Sequence, residues 1–401
     1  MNRRHFLTTS LGAMGGLPLA GTLNGVAWAA TSPAAAPPPT VVAVTPYTNL
    51  LVLIELKGAN DGLNTVIPYA NPLYAQLRPR IAIARDQVLQ LTGQEGLHPS
   101  LQPLLPLWQN KELAIVQGLG YPNPNLSHFR SIEIWDTASK SDEYLEAGWL
   151  ARVFAQTPAP RQFAADGVVV GSSDMGPLSG LGVRTIALAD TAQFLRNAKL
   201  AQTGSDARNA ALKHLLAVEN EIVHAASKLN TNRAFKTEFP RNGFGNQVRT
   251  AAQLVASNAG MATIRLTLSG FDTHAGQLGT QANLLKELAE GISALKSALL
   301  ELNRWDSTLV MTYAEFGRRP KENQSGGTDH GTANAHFVTG GKVLGGIYGQ
   351  PPELNRLDGN GNLPFAVDFR SIYATVIDKW WGQESRKILQ GKFAALDFLK
   401  A

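Results

Sequence analysis

Four short segments of the chain carry the residue types that bind metal ions or activate a nucleophile. The 401-residue chain contains no cysteine, which excludes thiolate metal sites and cysteine nucleophiles and leaves carboxylates and imidazoles as the strong metal ligands. We expect the four segments to form one polar site. They are residues 58–62 (GANDG), 125–129 (NLSHF), 270–274 (GFDTH), and 315–318 (EFGR) followed by 327–331 (GTDHG).

Three of these segments begin where a short apolar run ends. The runs are 50–56 (LLVLIEL) before Asp61, 262–268 (ATIRLTL) before Asp272 and His274, and 308–313 (TLVMTY) before Glu315. Near-continuous apolar runs of this length are typical of buried parallel strands. Ligands of open α/β sheets bind beside the carboxyl ends of the strands, so this placement predicts a metal or catalytic centre.

The acids after the first two runs are candidate metal ligands. In an extended backbone residues i and i+2 point to the same side, so Asp272 and His274 could bind one cation. Asp61 precedes Gly62, which permits a tight turn that would bring the carboxylate to a cation, with Asn60 as a co-ligand. An ordinary Asp-Gly turn explains Asp61 equally well.

Ser127 and His128 stand at the predicted start of a helix, and two interpretations remain open. Ser127 is in a favoured position for an N-cap, which would make its role structural. The same position offers free backbone N–H groups to an oxyanion, which suits a nucleophile activated by a metal. His128 could then act as a base, a ligand or a hydrogen-bond donor to a ligand.

The third acidic segment adds a cation and further histidines. Arg318 could pair with Glu315 or hold an anionic substrate. A glycine-rich loop and the strand after it supply more potential metal ligands. The alternative interpretation of this segment is a surface loop that binds no metal. The potential ligands here are Glu315, Asp329, His330 and His336.

Apolar runs alternate with helical stretches along the chain, which predicts an α/β fold with a mostly parallel sheet. The predicted strands are 50–56, 113–117, 167–171, 185–188, 262–268, 308–313 and 336–339. The predicted helices are 99–109, 128–137, 207–228, 246–257, 281–302 and 368–381. The region 207–257 carries two of these helices in succession and is interpreted as a cap or an insertion.

The N-terminal region resembles an export signal rather than part of the folded domain. Arg3 and Arg4 precede a weakly apolar run that is broken by glycine and ends in a small-x-small cleavage pattern at Ala27–Ala29. A membrane anchor is the alternative, but the run is short for a span. We therefore expect a twin-arginine signal at 1–30, an Ala/Pro-rich linker at 31–46, a domain at 47–401, and a periplasmic or secreted protein without a stable membrane span.

Charge and motif content exclude several classes of function. Without Arg3 and Arg4 the formal net charge falls from +5 to +3, and the chain has no dense Lys/Arg stripe, so nucleic acid is not an expected partner. The chain also lacks a Gly-x-Ser-x-Gly elbow, a Walker A loop and a His-Glu-x-x-His motif.

The polar segments, in this order and after a twin-arginine signal, resemble the bacterial DUF1501 family. The resemblance extends over nearly all of 47–401 and includes 64–68 (NTVIP), 77–81 (LRPRI) and 380–382 (WWG). That family is grouped with the alkaline phosphatase/sulfatase superfamily. The resemblance therefore implies a three-layer alkaline-phosphatase-like α/β fold, in which helices flank a central, mostly parallel sheet.

The superfamily plan implies one or two divalent metal ions, with Zn, Mn, Ca and Mg as candidates. By resemblance Asp61 binds one metal, Asp272 and His274 bind the other, Ser127 is the nucleophile, and His330 is the histidine of the last loop. Phe316 follows Glu315 where the superfamily has a histidine, and the sulfatase nucleophile motif is absent. The candidates to replace the missing histidine ligand are His128, Asp329 and His336.

These observations lead to two hypotheses about function. The first is an exported, metal-dependent hydrolase of phosphate or sulfate esters, whose partners are an anionic ester substrate and the twin-arginine export machinery. The second is a non-catalytic binding or assembly protein on the same scaffold, which the substitution at Phe316 favours.

Overall fold

The computed structural model describes residues 47–188 and 233–400. The predicted signal at 1–30, the predicted linker at 31–46 and the predicted helix at 207–228 lie outside these described residues. The domain assignments therefore stay predictions.

Fourteen strands lie within the described residues, and seven of them lie where the apolar runs predict a strand. In chain order they are β1 (Leu50–Lys57), β2 (Val66–Ile67), β3 (Leu89–Gln90), β4 (Gly96–Leu97), β5 (Leu113–Gly120), β6 (Gly167–Val170), β7 (Thr185–Leu188), β8 (Thr263–Ser269), β9 (Thr308–Tyr313), β10 (Arg318–Glu322), β11 (Thr328–His330), β12 (Asn334–Thr339), β13 (Gly346–Gly349) and β14 (Val367–Asp368).

Nine of the described strands form one sheet in the order β13-β5-β12-β9-β1-β8-β6-β7, with β14 beside β5. All neighbouring strands are parallel except β12, which runs antiparallel to β5 and to β9. Parallel neighbours need a crossover connection, usually a helix, whereas the chain between β9 and β12 folds into the β10–β11 hairpin. The prediction of a mostly parallel sheet is confirmed.

Five of the nine α-helices within the described residues lie at positions that the sequence predicts, and the other four were not predicted. In chain order the nine are α1 (Gly62–Thr65), α2 (Pro72–Leu77), α3 (Leu105–Gln109), α4 (His128–Thr137), α5 (Trp149–Gln156), α6 (Gly243–Ala256), α7 (Gln277–Glu301), α8 (Arg370–Thr375) and α9 (Ser385–Ile388). The predicted helix 99–109 is instead a 3₁₀ turn (Pro99–Leu104) that continues into α3. Pro103 lies inside that turn, and a proline removes the backbone N–H that an α-helix needs.

Helices cover both faces of the sheet, which gives three layers. Along β1, Leu50, Val52 and Ile54 belong to an apolar cluster with residues of α6 and α7. Leu51 and Leu53 point the other way, into a cluster with residues of α4, α5 and α8. A strand buried on both faces needs an apolar side chain at nearly every position, which explains the continuous run in the sequence. The predicted three-layer α/β fold is confirmed.

Helix α6 is part of the main core, not of a cap. Phe244, Val248 and Leu254 on this helix are at most 3% exposed and pack in the same cluster as β1. The interpretation of region 207–257 as a cap or an insertion is therefore wrong for α6. None of the helices that the structure describes is long and apolar enough to cross a membrane.

Candidate metal centre

The candidate site lies at the carboxyl edge of the sheet. Strands β1, β8 and β9 are parallel and in register, with Glu55 opposite both Thr267 and Tyr313, so the loops after them leave at one edge. The loop after β8 carries Asp272 and the loop after β9 carries Glu315. Helix α4 brings His128 to the same place, and the hairpin β10–β11 brings His330.

Asp272 and three histidines form a compact group, which we call the Asp272 cluster (Asp272, His128, His274 and His330). Asp272 Oδ1 lies 3.3 Å from His128 Nε2, 3.1 Å from His274 Nε2 and 3.5 Å from His330 Nε2. The ligand atoms of His128, Asp272 and His330 all lie within 4.8 Å of one another. The structure thus brings together residues from three separate segments of the sequence.

His128 is held by a buried carboxylate. Its Nδ1 lies 2.7 Å from Oε1 of Glu315, which is 3% exposed and also accepts a hydrogen bond of 3.0 Å from the Gly58 N–H. The hydrogen bond to Glu315 raises the pKa of His128. With Nδ1–H donating to Glu315, Nε2 faces Asp272, and this nitrogen is buried and has no hydrogen-bond partner among the described residues.

His330 presents a second lone pair to the cluster. Its Nδ1 donates to the carbonyl oxygen of Leu126 at 2.7 Å, which leaves Nε2 as the acceptor nitrogen of a neutral ring. Burial lowers the pKa of His330 and so favours this neutral form. Its Nε2 also lies 2.9 Å from Nε2 of His274.

His274 lies at the more open side of the cluster. Its Nδ1 is 3.4 Å from Oδ1 of Asp329, which also accepts from Asn323 Nδ2 at 3.1 Å. The Asn323 hydrogen bond is the main cause that lowers the pKa of Asp329. The structure therefore places Asp329 behind His274, where it orients the ring, and not among the converging ligand atoms.

The donor set fits a metal ion. Oδ1 of Asp272 lies within 3.5 Å of the acceptor nitrogens of His128 and His330, and such acceptor-to-acceptor contacts are unfavourable unless a proton or a cation lies between the atoms. The Glu315–His128 contact is the carboxylate-to-imidazole support that metal-binding histidines typically have. Without a metal, a proton on His128 is stabilised by the same carboxylates, so metal and proton compete for this position.

Arg318 is a positioning residue for Asp272 rather than a free cation. Its fully buried guanidinium donates to the carbonyl oxygens of Gly58, Ala59 and Thr328 at 2.6, 2.9 and 2.9 Å, and to Asp272 Oδ1 at 2.6 Å. Burial acts to raise the pKa of Asp272, but the hydrogen bond and charge of Arg318, with the nearby histidines, lower it to about 2. With its donors engaged, Arg318 does not hold an anionic substrate as the sequence suggests.

Asp61 does not join the cluster. Both of its oxygens are bound by the guanidinium of Arg78, at 2.5 and 3.0 Å, and they also accept from Gln277 Nε2 at 2.5 Å and from the Leu63 N–H at 3.1 Å. Asp61 and Arg78 side chains are fully buried. These four donors occupy both oxygens of the fully buried carboxylate, so no oxygen of Asp61 is open to a metal ion. Asp61 therefore caps α1 and neutralises Arg78.

Asn60 has a structural role as well. It is completely buried, donates to Thr65 Oγ1 at 2.8 Å, and accepts from Gln281 Nε2 at 3.1 Å. These bonds tie the turn after β1 to α7. The structure does not bring Asn60 to the Asp272 cluster as a co-ligand.

Ser127 is exposed and directly precedes His128 at the start of α4. Its side chain makes no capping hydrogen bond, so the N-cap interpretation is not supported. The first intrahelical bond comes from the Ser131 N–H to the Ser127 carbonyl, which leaves the N–H groups of residues 128–130 without helical partners. Ser127 thus directly precedes a metal-ligand candidate at a helix N-terminus.

His336 belongs to the core and not to the metal centre. It is completely buried, lies 3.3 Å from Thr312 Oγ1 through Nδ1, and packs edge-on against Trp135. Burial lowers its pKa to about 3. The prediction of His336 as a metal ligand is wrong because β12 carries the residue into the sheet interior.

Two residues around the cluster have structural roles that the sequence does not predict. Arg78, which removes Asp61 from the site, lies in the LRPRI segment, where neither spacing nor composition points to its partner. Phe316 is 2% exposed, and its ring centroid lies 4.9 Å from that of His128 and 4.8 Å from that of His330. It packs against both imidazoles and fixes their orientation.

Comparison with protein families and curated proteins gives one match. The family model described as "Protein of unknown function (DUF1501)" matches residues 114–390, which is more than half of the chain. This confirms the family that the sequence motifs resemble. A comparison with curated proteins found no match.

Several solved structures are similar to the chain at low identity. A phosphonate monoester hydrolase from Silicibacter pomeroyi has a TM-score of 0.41 and 11% identity, over 86% of this chain and 74% of that one. An alkaline phosphatase from the Antarctic bacterium TAB5 has a TM-score of 0.33 and 14% identity, over 76% and 95%. A protein in the alkaline phosphatase superfamily from Vibrio parahaemolyticus has a TM-score of 0.40 and 10% identity, over 83% and 66%.

Proposed function

The chain belongs to the DUF1501 family, and we propose that it is an exported hydrolase of phosphate or sulfate esters that depends on a divalent metal held by the Asp272 cluster. The observation that carries the proposal is the convergence of His128 Nε2, Asp272 Oδ1 and His330 Nε2 within 4.8 Å. Three ligand atoms from three segments, with His274 adjacent, are the number that a catalytic metal takes from a protein while it keeps an open position.

The ligand types narrow the identity of the metal. Two imidazoles and one carboxylate suit zinc or a similar transition-metal ion, whereas calcium and magnesium prefer oxygen ligands. Asp272 is ionised at neutral pH because its pKa is lowered to about 2. When bound, such a metal lowers the pKa of a coordinated hydroxyl or water and neutralises the oxygens of the ester.

Residues of the chain supply the remaining functions. Glu315 holds the His128 ring, and the Leu126 carbonyl holds the His330 ring, so both Nε2 atoms face one point. Ser127 is the nucleophile, because its exposed hydroxyl caps no helix and adjoins His128. The free N–H groups at the start of α4 bind the developing oxyanion.

The alternative is a binding or assembly protein on the same scaffold, and two observations favour it. Arg78 occupies the carboxylate of Asp61, so that acid is not available to a second metal. Phe316 stands where the superfamily plan has a histidine, and its ring packs on His128 and His330. Loss of ligands at these two positions is what a decayed two-metal site would show.

Two substitutions separate metal binding from catalysis. Asp272→Asn should lower metal per chain well below that of the wild type, because a neutral amide replaces the anionic ligand. Ser127→Ala should retain the metal and the melting temperature but lose hydrolysis of activated aryl phosphate and sulfate esters by at least about a hundredfold. Metal analysis of protein purified from the periplasm and hydrolysis assays on the same samples provide the measurements.

Asp142→Asn is the matched control, because Asp142 is exposed and lies outside the cluster. This variant should match the wild type in metal content and in rate. Wild-type protein that holds no stoichiometric metal would refute the metal centre. Wild-type protein that holds metal but hydrolyses no ester in a broad panel would favour the binding-protein alternative.

A further inference from the structure

A cavity of about 200 Å³ opens at the carboxyl edge of the sheet, apart from the Asp272 cluster. Five separate parts of the chain line it: residues 62–66, the end of β5, Arg318, residues 333–335 at the start of β12, and the segment 350–366. Leu63 and Leu363 on its wall belong to a small apolar cluster distinct from the two that cover the sheet. The wall is therefore built on a packed core of its own.

A β-bulge directs one polar side chain into this wall. Strand β5 pairs with β12 through Leu119 and Val116, so two residues, Gln117 and Gly118, lie opposite one on β12. Gly118 has φ +68°, and its carbonyl accepts from the Ala366 N–H at 2.8 Å, which fastens the segment 350–366 to the strand. Bulges of this kind re-aim a side chain at a functional position.

Gln117 has an unsatisfied acceptor. The residue is 2% exposed, and its Nε2 donates to the carboxylate of Glu95. Because that carboxylate accepts only, the orientation of the amide is fixed and Oε1 must face away from Glu95. This Oε1 is buried and has no hydrogen-bond partner among the described residues. A buried acceptor without a partner costs free energy unless a ligand or water donates to it.

The charges around the cavity compensate one another. Arg318 contributes to the wall, but its guanidinium is bound to carbonyl groups and Asp272. At the rim, Arg356 Nη1 lies 3.2 Å from Glu353 Oε2. Among the described residues, the cavity thus offers apolar surface and the buried, unpartnered acceptor of Gln117, and the charged side chains of its wall are paired, which suits an uncharged ligand.

We propose that this cavity binds a small uncharged molecule with an apolar ring and one N–H or O–H group, which donates to Gln117 Oε1. Pro351, Pro352 and Pro364 line the cavity and limit the backbone of the outer wall, so the wall keeps its shape without a ligand. The site requires neither Ser127 nor a metal, and its existence does not depend on the proposed hydrolase activity.

The test compares two bicyclic probes of the same shape, indole and benzofuran, of which only indole carries an N–H donor. Calorimetry on the whole chain should show saturable 1:1 binding of indole, with benzofuran bound about fivefold more weakly because one neutral hydrogen bond is missing. Chelation of metal should leave both affinities unchanged. That result separates this site from the metal centre, whose failure would appear in the metal analysis alone.

Three variants locate the site. Gln117→Leu should make the two probes bind equally, and Gln350→Leu, an exposed glutamine on the same wall, should retain the preference for indole. Ala366→Trp, at an exposed position on the wall, should abolish binding of both probes without unfolding the protein. Absence of saturable indole binding, equal affinity of the two probes for the wild type, or full binding to Ala366→Trp would each overturn the proposal.

Discussion

Asp61 and Asp272 both follow a central strand and both bind an arginine, yet only one of them is available to a metal. Arg78 and two further donors enclose both oxygens of Asp61, whose side chain is fully buried. Arg318 binds Oδ1 of Asp272 and leaves the side chain 49% exposed. The arginine keeps Asp272 ionised without enclosing it, so the geometry of each pair, and not the residue type, decides which acid can be a ligand.

His336 provides a pH test of the core that is independent of the metal centre. Its pKa is lowered by burial to about 3, whereas the unfolded chain binds the proton near pH 6.5. Above pH 6.5 the His336 imidazole is neutral in the folded and in the unfolded chain. Below pH 6.5 it binds a proton in the unfolded chain but stays neutral in the folded protein. The free energy of unfolding should therefore fall by about 1.4 kcal/mol per pH unit from this residue between pH 6.5 and 3.

Substitution by glutamine isolates this contribution. His336→Gln should reduce the pH dependence of unfolding by that amount, measured by urea titration at pH 7, 6, 5 and 4 with a chelator present. His98, whose pKa burial lowers to about 4, is the comparison, and His98→Gln should have the same effect over a narrower range. An unchanged slope in His336→Gln would show that the folded protein admits a proton at this position.

The residue types of the site could be predicted from sequence, but their partners could not. The strand-then-acid pattern correctly brings Asp272, His274 and Glu315 to one edge of the sheet. Nothing in the spacing shows that Arg78, seventeen residues after Asp61 in the chain, takes the carboxylate. In the same way, histidine is a common metal ligand, and only the structure shows that β12 carries the His336 side chain into the core.

The turn that follows β1 links the sheet to the candidate metal centre. Gly58 has φ +106°, a conformation that side chains other than glycine rarely adopt, and its N–H donates to Glu315. A Cβ at this position would lie 2.5 Å from the backbone nitrogen of Asp272. Glycine thus allows the loops after β1 and β8 to approach closely enough for Glu315 and Asp272 to share one histidine.

Gly58→Ala should disturb the metal centre through the backbone. The new methyl group has to displace Asp272, so metal per chain should fall together with the free energy of unfolding. Gly182→Ala is the matched control, because Gly182 has φ +75° but no heavy atom of the described residues within 4 Å of its Cβ position. That control should cost about 1–2 kcal/mol from backbone strain alone and keep its metal.

Denaturant titrations and metal analysis of the two alanine variants show whether the close approach of Gly58 to Asp272, or backbone strain alone, causes the losses. The close approach matters only if Gly58→Ala loses more stability and more metal than Gly182→Ala. Equal losses in both variants would mean that backbone strain explains the whole effect and that the loops can separate freely.

Element positions follow from the apolar runs, whereas strand direction and buried charge do not. The strands Thr185–Leu188 and Thr308–Tyr313 and the helix His128–Thr137 have the predicted bounds. The direction of β12 depends on the hairpin before it, which a glycine-rich loop does not reveal. Glu55 lies inside an apolar run and is buried, because Arg265 on β8 binds it at 2.7 Å across the sheet.

At the scale of the whole molecule, three layers of structure hold the candidate site at the sheet edge. Cores on both faces fix β1, β8 and β9, so the loops after them start from rigid positions. The chain does this without a disulfide, since it contains no cysteine. The proposed export through a twin-arginine signal carries the chain in its folded state, so a metal could be bound before export.

Export should therefore depend on the paired arginines. Changing Arg3→Lys and Arg4→Lys together keeps the positive charge but removes the guanidinium pair, so precursor should remain in the cytoplasm, as measured by fractionation and immunoblotting. The same change at two exposed arginines of the folded part, Arg85→Lys with Arg161→Lys, should leave periplasmic accumulation unchanged. Normal accumulation of the Arg3/Arg4 variant would rule out the twin-arginine assignment. The candidate site would then have to bind its metal outside the cytoplasm. Other export routes carry unfolded chains, in which His128, Asp272 and His330 are far apart.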